Sequence, residues 1–348
     1  MRVADFDFEL PERLIAQHPP PERGESRLLV LERRTGAITH TTFGQVPEFL
    51  RDGDRLVLND TRVLPARLLG TRVPSGGAVE CLLLQPLSPG RGAAEWEALM
   101  HPGQKLRPGS RVRFTRGDIV IEGDVLARHF HGRRTIRLST DGNDLMSAIE
   151  AVGHIPLPPY IKRADTDDDR DRYQTVYARD AGSIAAPTAG LHFTQALLDV
   201  LEARGIHLVR VTLRVGYGTF KPVRVEDVDE HRVDAEAFSV TAAAASALTR
   251  AKQDGQRIIA VGTTTTRVLE TLSPEDLRET NGQTDLFVRP GHRFRMVDGL
   301  ITNFHLPRSS LLMLVAAFGG REQVLAAYRE AVEREYRFYS YGDAMLVI

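Results

Sequence analysis

The sequence predicts an α/β protein: a larger α/β body, with a mixed sheet flanked by helices, carrying an inserted small antiparallel all-β barrel domain. Three observations carry that expectation. Short β-like runs broken by turn residues follow one another from about 67 to 139, with the regular spacing of a small barrel or sandwich. Elsewhere, apolar runs at 208–215 and 258–261 alternate with segments of helical period at 195–204, 242–253 and 323–334. The stretch Gly153-His-Ile-Pro-Leu-Pro-Pro-Tyr160 holds three prolines and makes a stiff connection, suited to a crossing between two folded parts. The expected partition is a body of 1–60 and 150–348 and an insert of 61–149.

Within the insert, the run 66–73 precedes the turn Pro74-Ser-Gly-Gly77, and further runs follow at 79–84, 96–99, 111–114 and 119–130, with a return strand at 134–138. In the body, Thr194 is placed to cap the helix 195–204 and Ser309 to cap the helix that follows it. Gly205 and Gly255 close 195–204 and 242–253, because glycine adopts the left-handed conformation common just past a helix end. Asp165-Thr-Asp-Asp-Asp-Arg-Asp171 reads as a mobile acidic loop.

Composition narrows the function. The 348 residues are 42% hydrophobic, enough for two cores, and the longest apolar run, 311–318, is far too short to span a bilayer. With an acidic N-terminus and no secretory apolar core, the chain is expected to be cytoplasmic, without membrane contact, and a monomer. A single cysteine, Cys81, excludes an internal disulfide and a cysteine-ligated iron-sulfur cluster. The net charge of −1 is unevenly spread: residues 61–149 hold 13 Arg and Lys against 8 Asp and Glu, leaving 32 against 38 elsewhere. The densest basic segment, 128–137, includes Arg128, Arg133 and Arg134 and has no acid, so it is either a solvated hairpin or an RNA contact. His129 and His131 would share a strand face there, but no third ligand follows at metal spacing, and no metal site is expected.

Several loops carry chemistry. Ala185-Ala-Pro-Thr-Ala-Gly-Leu-His-Phe-Thr194 combines a rigid proline, Thr188, the permissive Gly190 and His192 at a helix mouth. His305 sits in a similar proline-bearing loop, after Asn303; each histidine is either a proton carrier or a structural residue bonded to a carbonyl. Gly262-Thr263-Thr264-Thr265-Thr266 joins an apolar strand to a helix that begins with Arg267, and is either an anion site at a helix N-terminus or a threonine cap. Gly216-Tyr217-Gly218 lets the backbone approach a flat ligand and offers a stacking ring, or is only a tight turn. Asn59, Asp60 and Asp285 flank apolar strands as ligand contacts or turn formers, and Arg163 and Tyr173 pair a planar cation with aromatics in a way that suits splayed RNA bases.

Taken together, these loops resemble the S-adenosylmethionine:tRNA ribosyltransferase-isomerase family of queuosine biosynthesis. The resemblance extends from Asp7-Phe-Glu-Leu-Pro11 and Ser26-Arg-Leu-Leu-Val30 through Thr61-Arg62-Val-Leu-Pro-Ala-Arg67 to Tyr341-Gly-Asp-Ala-Met345. It implies transfer of the ribosyl unit of S-adenosylmethionine onto 7-aminomethyl-7-deazaguanine at the tRNA wobble position. S-adenosylmethionine would then be a co-substrate, with no bound prosthetic group, and a tRNA carrying the deazaguanine precursor the partner. It further implies His192, His305 and Asp285 in proton traffic, and Thr263 to Thr266 with Arg267 at the methionyl end, where Arg267 adds a charge-assisted bond. Gly216, Tyr217, Gly218, Thr188, Gly190, Asn303, Asn59, Asp60 and Arg62 would complete the substrate site. Two positions depart from the family pattern: Arg214 and Asp234 stand where histidines are expected, which removes histidine chemistry there. A binding module without catalysis remains the alternative, and adenine release dependent on modified tRNA separates the two.

Overall fold

A computed structural model describes residues 1–348 except 89, 142, 143 and 221, and the side chains of 131 and 220 also lie outside the description. Its main sheet has nine strands. In spatial order they are Thr280–Thr284, Glu236–Val240, His207–Leu213, Arg55–Asn59, Ile258–Val261, Gly299–Asn303, Ala344–Val347, Arg27–Leu31 and Ile38–Thr42. The four from His207–Leu213 to Gly299–Asn303 run parallel, so their carboxyl ends share one edge of the sheet. Three of them, Arg55–Asn59, Ile258–Val261 and Gly299–Asn303, are buried at every position, as strands covered on both faces are, whereas burial alternates along His207–Leu213. Successive residues divide accordingly: Leu56, Leu58, Ile259 and Val261 enter one core, while Val57, Ala260 and Leu300 enter the other.

Thr194, Thr241 and Ser309 cap the helices Gln195–Ala203, Ala242–Gln253 and Ser310–Gly319, each hydroxyl accepting from a backbone N–H three residues on. Two of these are the caps expected from sequence. Gly205 and Gly255 follow their helices with φ of 78° and 66°, as the sequence suggested.

The insert is a closed six-stranded barrel in which each neighbouring pair is antiparallel. Its strands are Arg67–Val73, Ala78–Ser88, Ala93–His101, Arg111–Arg116, Ile119–Arg128 and Arg133–Ser139, all six at the runs read from sequence. One apolar cluster fills it, from Leu64 through Phe114 and Ile136 to Val152, so the helix Leu145–Val152 packs onto the barrel.

Three expectations change. Arg134 does not face solvent: it is 1% exposed, and its guanidinium donates to the carbonyls of Leu106, Arg133 and Gly103. A planar fork of five donors can tie three carbonyls inside the barrel wall, which holds the guanidinium away from solvent. His129 precedes a short 3-10 turn, Phe130–Gly132, rather than lying on a strand, and the side chain of His131 is outside the described residues. The acidic stretch 165–171 is organised around Asp169, which is 1% exposed and receives both guanidinium nitrogens of Arg163 at 2.7 and 2.8 Å and the Tyr341 hydroxyl at 2.7 Å. Burial alone would raise the Asp169 carboxyl; the Arg163, Thr166 and Tyr341 donors hold it well below the usual carboxylate range.

Arg134→Ala strips partners from buried carbonyls and should destabilise the protein by about 3 kcal/mol in chemical denaturation, whereas exposed Arg128→Ala should shift it by no more than about 0.5 kcal/mol.

Candidate active site

A cavity opens at the carboxyl edge of the parallel strands. Such sheets bind ligands at this edge because strands end there and loops and helix N-termini converge. Val215 enters from the strand His207–Leu213, Gly262 to Thr264 from Ile258–Val261, and Thr302, Asn303 and His305 from Gly299–Asn303. The strand order sets Thr302 to His305 between Gly262–Thr264 on one side and Tyr339–Ser340, which lead into the strand Ala344–Val347, on the other. Tyr160, Tyr173 and the segment Ala185 to Ala189, Thr188 among them, complete the walls with Thr219 and Leu311. Among the described residues that line it, none carries a carboxylate, an ammonium or a guanidinium.

The helix Thr263–Thr271 starts at this cavity without a side-chain cap, and Gly262 before it has φ of 91°, a conformation that favours glycine. Its four threonines divide by helical period. Thr265 and Thr266 are wholly buried and return their hydroxyls to the carbonyls of Val261 and Gly262, while Thr263 and Thr264 face the cavity. Amides of the first turn have no intrahelical acceptor, so positive partial charge is directed at the cavity. Asn59 fixes this corner: fully buried, it donates to the Leu213 carbonyl and, at 3.3 Å, to Thr264 Oγ1, and accepts from the amides of Thr61 and Leu213.

The two histidines differ. His305 lines the cavity, 6% exposed, with Nε2 2.8 Å from the Thr302 hydroxyl and no protein partner for Nδ1 among the described residues. Burial lowers it to about 3, so it is neutral near pH 7. His192 stands one layer behind, with Nδ1 2.7 Å from Ser26 Oγ and Nε2 3.0 Å from Asn303 Nδ2. Its ring packs on Phe43 at 5.0 Å, and burial together with the Arg23 guanidinium lowers it to about 3. With both nitrogens engaged and no place in the lining, His192 reaches the cavity only through Asn303.

Other expected contacts fall outside. Asp285 is exposed just past the edge strand Thr280–Thr284 and away from the lining; the carboxylate beside the site is Glu236. Arg267 is spent on it: the guanidinium pairs with Glu236 and donates to the carbonyls of Leu286 and Thr284, so it is not open for a methionyl carboxylate. Glu236 also accepts from the Gly216 amide at 2.7 Å. Gly218 lines a side pocket that shares Thr219 and Leu311 with the main cavity. Tyr217 faces instead the groove between the barrel and the proline-rich connection, beside Arg67, His101 and Lys162. Gly190 is a packing glycine, because a Cβ there would come within 2.1 Å of the Tyr177 hydroxyl. Asp60 accepts from Thr212 Oγ1 at 2.6 Å, and Arg62 pairs with Glu150 on the barrel-side helix. Tyr173, fully buried and edge-on to Tyr341, is a cavity wall and not a platform for bases. Arg163 is occupied by Asp169. Arg133 pairs with Glu97 at 2.9 Å and lies 3.7 Å from Asp234, while Arg214 pairs with Asp180, so both departures from the family pattern stand in ion pairs.

Sequence reading missed Ser26, Tyr160, Thr219, Thr302, Tyr339 and Ser340 as parts of the site. It also missed Glu236, which left a readable signal: the residue shares a strand face with Phe238 and Val240, and a carboxylate on an apolar face calls for a buried partner.

A loop-lined cavity at the carboxyl edge of a mixed sheet, with an uncapped helix N-terminus and a neutral imidazole, defines a small-molecule enzyme site on an α/β scaffold. The chain belongs to the queuosine biosynthesis protein family, whose model matches residues 3–347. Relatives named S-adenosylmethionine:tRNA ribosyltransferase-isomerase from Symbiobacterium thermophilum and Halothermothrix orenii are 51% and 49% identical to it over the full length of both chains. A solved S-adenosylmethionine tRNA ribosyltransferase from Thermotoga maritima is 38% identical, with a TM-score of 0.57 over 99% of this chain and 100% of that one.

Acid should unfold the protein partly through the two buried histidines. Each titrates near 6.5 when unfolded and near 3 when folded, so the stability they contribute is complete above pH 6.5 and is lost as pH falls toward about 3. The expected slope is on the order of 1 kcal/mol per pH unit per histidine, and His192→Phe should make the urea midpoint less acid-sensitive over that window.

Proposed function

We infer that this chain catalyses the reaction for which its relatives are named: it transfers and isomerises the ribosyl moiety of S-adenosylmethionine onto 7-aminomethyl-7-deazaguanine at the tRNA wobble position, forming epoxyqueuosine and releasing adenine and methionine. One observation carries the assignment to a site. Among the described residues, the cavity at the sheet edge combines an uncapped helix N-terminus, a buried amide and an imidazole nitrogen with no protein partner, and it has no side-chain charge of its own.

Each feature suits part of the co-substrate. The amides of the helix Thr263–Thr271 offer the methionyl carboxylate the donors that Arg267, held by Glu236, does not. A lining without cations admits a sulfonium without like-charge repulsion. Tyr160, Tyr173 and Tyr339 supply aromatic wall for a nucleobase.

His305 Nδ1 is the group we assign to take the proton from the ribose carbon beside the sulfur. Burial makes an imidazolium costly in the ligand-free protein, yet the transfer creates no new net charge: the sulfonium becomes a neutral ylide as the ring becomes cationic. The Thr302 hydroxyl, against Nε2, keeps the ring oriented. Departure of adenine, attack by the tRNA amine and ring closure with loss of methionine then need only further proton movement, for which the same imidazole is at hand.

For the RNA, the reading assigns the groove that Tyr217 lines between barrel and body, with Lys162 and Arg67 at its sides, and exposed Arg128 on the barrel. In this view the inserted barrel, 61–149, grips the tRNA while the body, 1–60 and 150–348, holds the nucleoside. The enzyme is taken to act as a monomer in the cytoplasm, with S-adenosylmethionine as co-substrate and no prosthetic group. Among the described residues no single helix is long and apolar enough to cross a membrane, and no group of three or more His, Cys, Asp or Glu could hold a metal.

His305→Asn should lower the rate of adenine release with modified tRNA about 100- to 10,000-fold while changing S-adenosylmethionine affinity less than about threefold. Unchanged turnover would remove His305 from the reaction.

A further inference from the structure

Asn303 carries a buried carbonyl oxygen, Oδ1, with no hydrogen-bonding partner among the described residues, and it lines the cavity and is 2% exposed. Leaving such an atom unpaired is costly, and of the buried side-chain atoms without a partner among the described residues only those of Asn303 and Tyr173 belong to residues that line this cavity. The orientation of the amide is not free. Nδ2 lies 3.2 Å from the Tyr339 carbonyl, which only accepts, so that atom must be the NH₂. The same NH₂ lies 3.0 Å from His192 Nε2, which must therefore be the unprotonated nitrogen. His192 then holds its proton on Nδ1 and donates it to Ser26 Oγ at 2.7 Å. Burial keeps the ring neutral, so this one tautomer persists across the working pH range.

We propose that Ser26, His192 and Asn303 form a fixed relay that holds Asn303 Oδ1 as an acceptor for a neutral donor of the bound nucleoside, a ribose hydroxyl or the exocyclic amine of the base. Asn303 is the binding residue; Ser26 and His192 are positioning residues that act through it. If the imidazole proton moved to Nε2, it would confront the Asn303 NH₂, and relief by turning the amide would set Oδ1 against the Tyr339 carbonyl. The Tyr339 carbonyl, acting through the Asn303 NH₂, excludes this, and Ser26 Oγ gives the resulting Nδ1 proton its acceptor. The chemistry accounts for two histidines with different tasks: His305 faces the substrate and His192 does not. The inference rests on the reading of this cavity as the nucleoside site.

The test measures binding of S-adenosylmethionine and of its 2′-deoxy, 3′-deoxy and 6-deamino analogues to the full chain, as wild type, Asn303→Ala, Ser26→Ala, Ser26→Thr and Ala189→Trp. In the wild type, the analogue lacking the recognised donor should bind about tenfold more weakly; in Asn303→Ala it should bind as well as S-adenosylmethionine itself. Which analogue loses its deficit identifies ribose or base as the source. Ser26→Ala should reproduce the loss of discrimination with the fold intact, Ser26→Thr should restore it, and imidazole ¹⁵N shifts of His192 should report an Nδ1 proton in wild type and a changed tautomer in Ser26→Ala. If every analogue's deficit persists in Asn303→Ala, or Ser26→Ala leaves both tautomer and discrimination unchanged, the relay is refuted. Ala189→Trp, which fills the cavity, separates this from failure of the site itself: if it leaves S-adenosylmethionine binding intact, the cavity is not the nucleoside site and both readings fall.

Discussion

The amide of Asn303 ties together the parts of the chain that make the site. Its NH₂ reaches the Tyr339 carbonyl and His192, and through His192 the hydroxyl of Ser26. The end of a central strand, the loop before the last strand, the turn Thr188–His192 and the start of the strand Arg27–Leu31 are joined by three hydrogen bonds. In a buried setting such bonds are strong when complete and expensive when broken, so the wall they form has essentially one arrangement. The direction of the Asn303 carbonyl, the neutrality of His192 and the separation of the two histidines into different roles all depend on it.

The charges nearest the cavity are cancelled before a substrate arrives. Arg267 is matched by Glu236, and Arg163 by Asp169, each acid being at least nine-tenths buried. Pairs of this kind add little to stability against apolar replacements, but losing one partner would strand the other in low dielectric. Their effect on the site is to stiffen its rim while keeping full charges out of the interior. What remains inside is dipolar: helix amides, hydroxyls, one amide carbonyl and one imidazole. A cation that is consumed during the reaction is well served by such surroundings, because neither fixed anions nor fixed cations bias it before the proton moves.

Much of this was legible in the sequence, and the limits have physical causes. The six barrel strands could be read because alternating burial and turn residues are local signals. The caps at Thr194 and Ser309 were readable because a cap is made by residues three apart. Gly262 to Thr264, Thr188, Asn303 and His305 line one cavity because the loops that follow these strands converge at the sheet edge, and such loops were readable from their glycine, threonine and proline content. What failed was pairing across long sequence separation. Arg267 read as a free cation because Glu236 lies 31 residues away, and Arg163 and Tyr173 read as an RNA platform because Tyr341, which bonds the Asp169 partner of Arg163 and packs edge-on to Tyr173, lies more than 160 residues on. Arg134 looked like its basic neighbours, although its place on the inner face of the barrel turns the same side chain into a carbonyl clamp. Asp285 had the right chemistry just past the edge strand Thr280–Thr284, which the cavity does not reach.

The measurement that bears most directly on this account is a structure of the chain bound to S-adenosylhomocysteine, which keeps the nucleoside and the carboxylate but cannot form the ylide. The carboxylate should accept from the amides at the start of the helix Thr263–Thr271, and the ribose carbon next to sulfur should lie within reach of His305 Nδ1. A ligand seated instead in the groove beside Tyr217, with the carboxylate on Arg67 or Lys162, would contradict it.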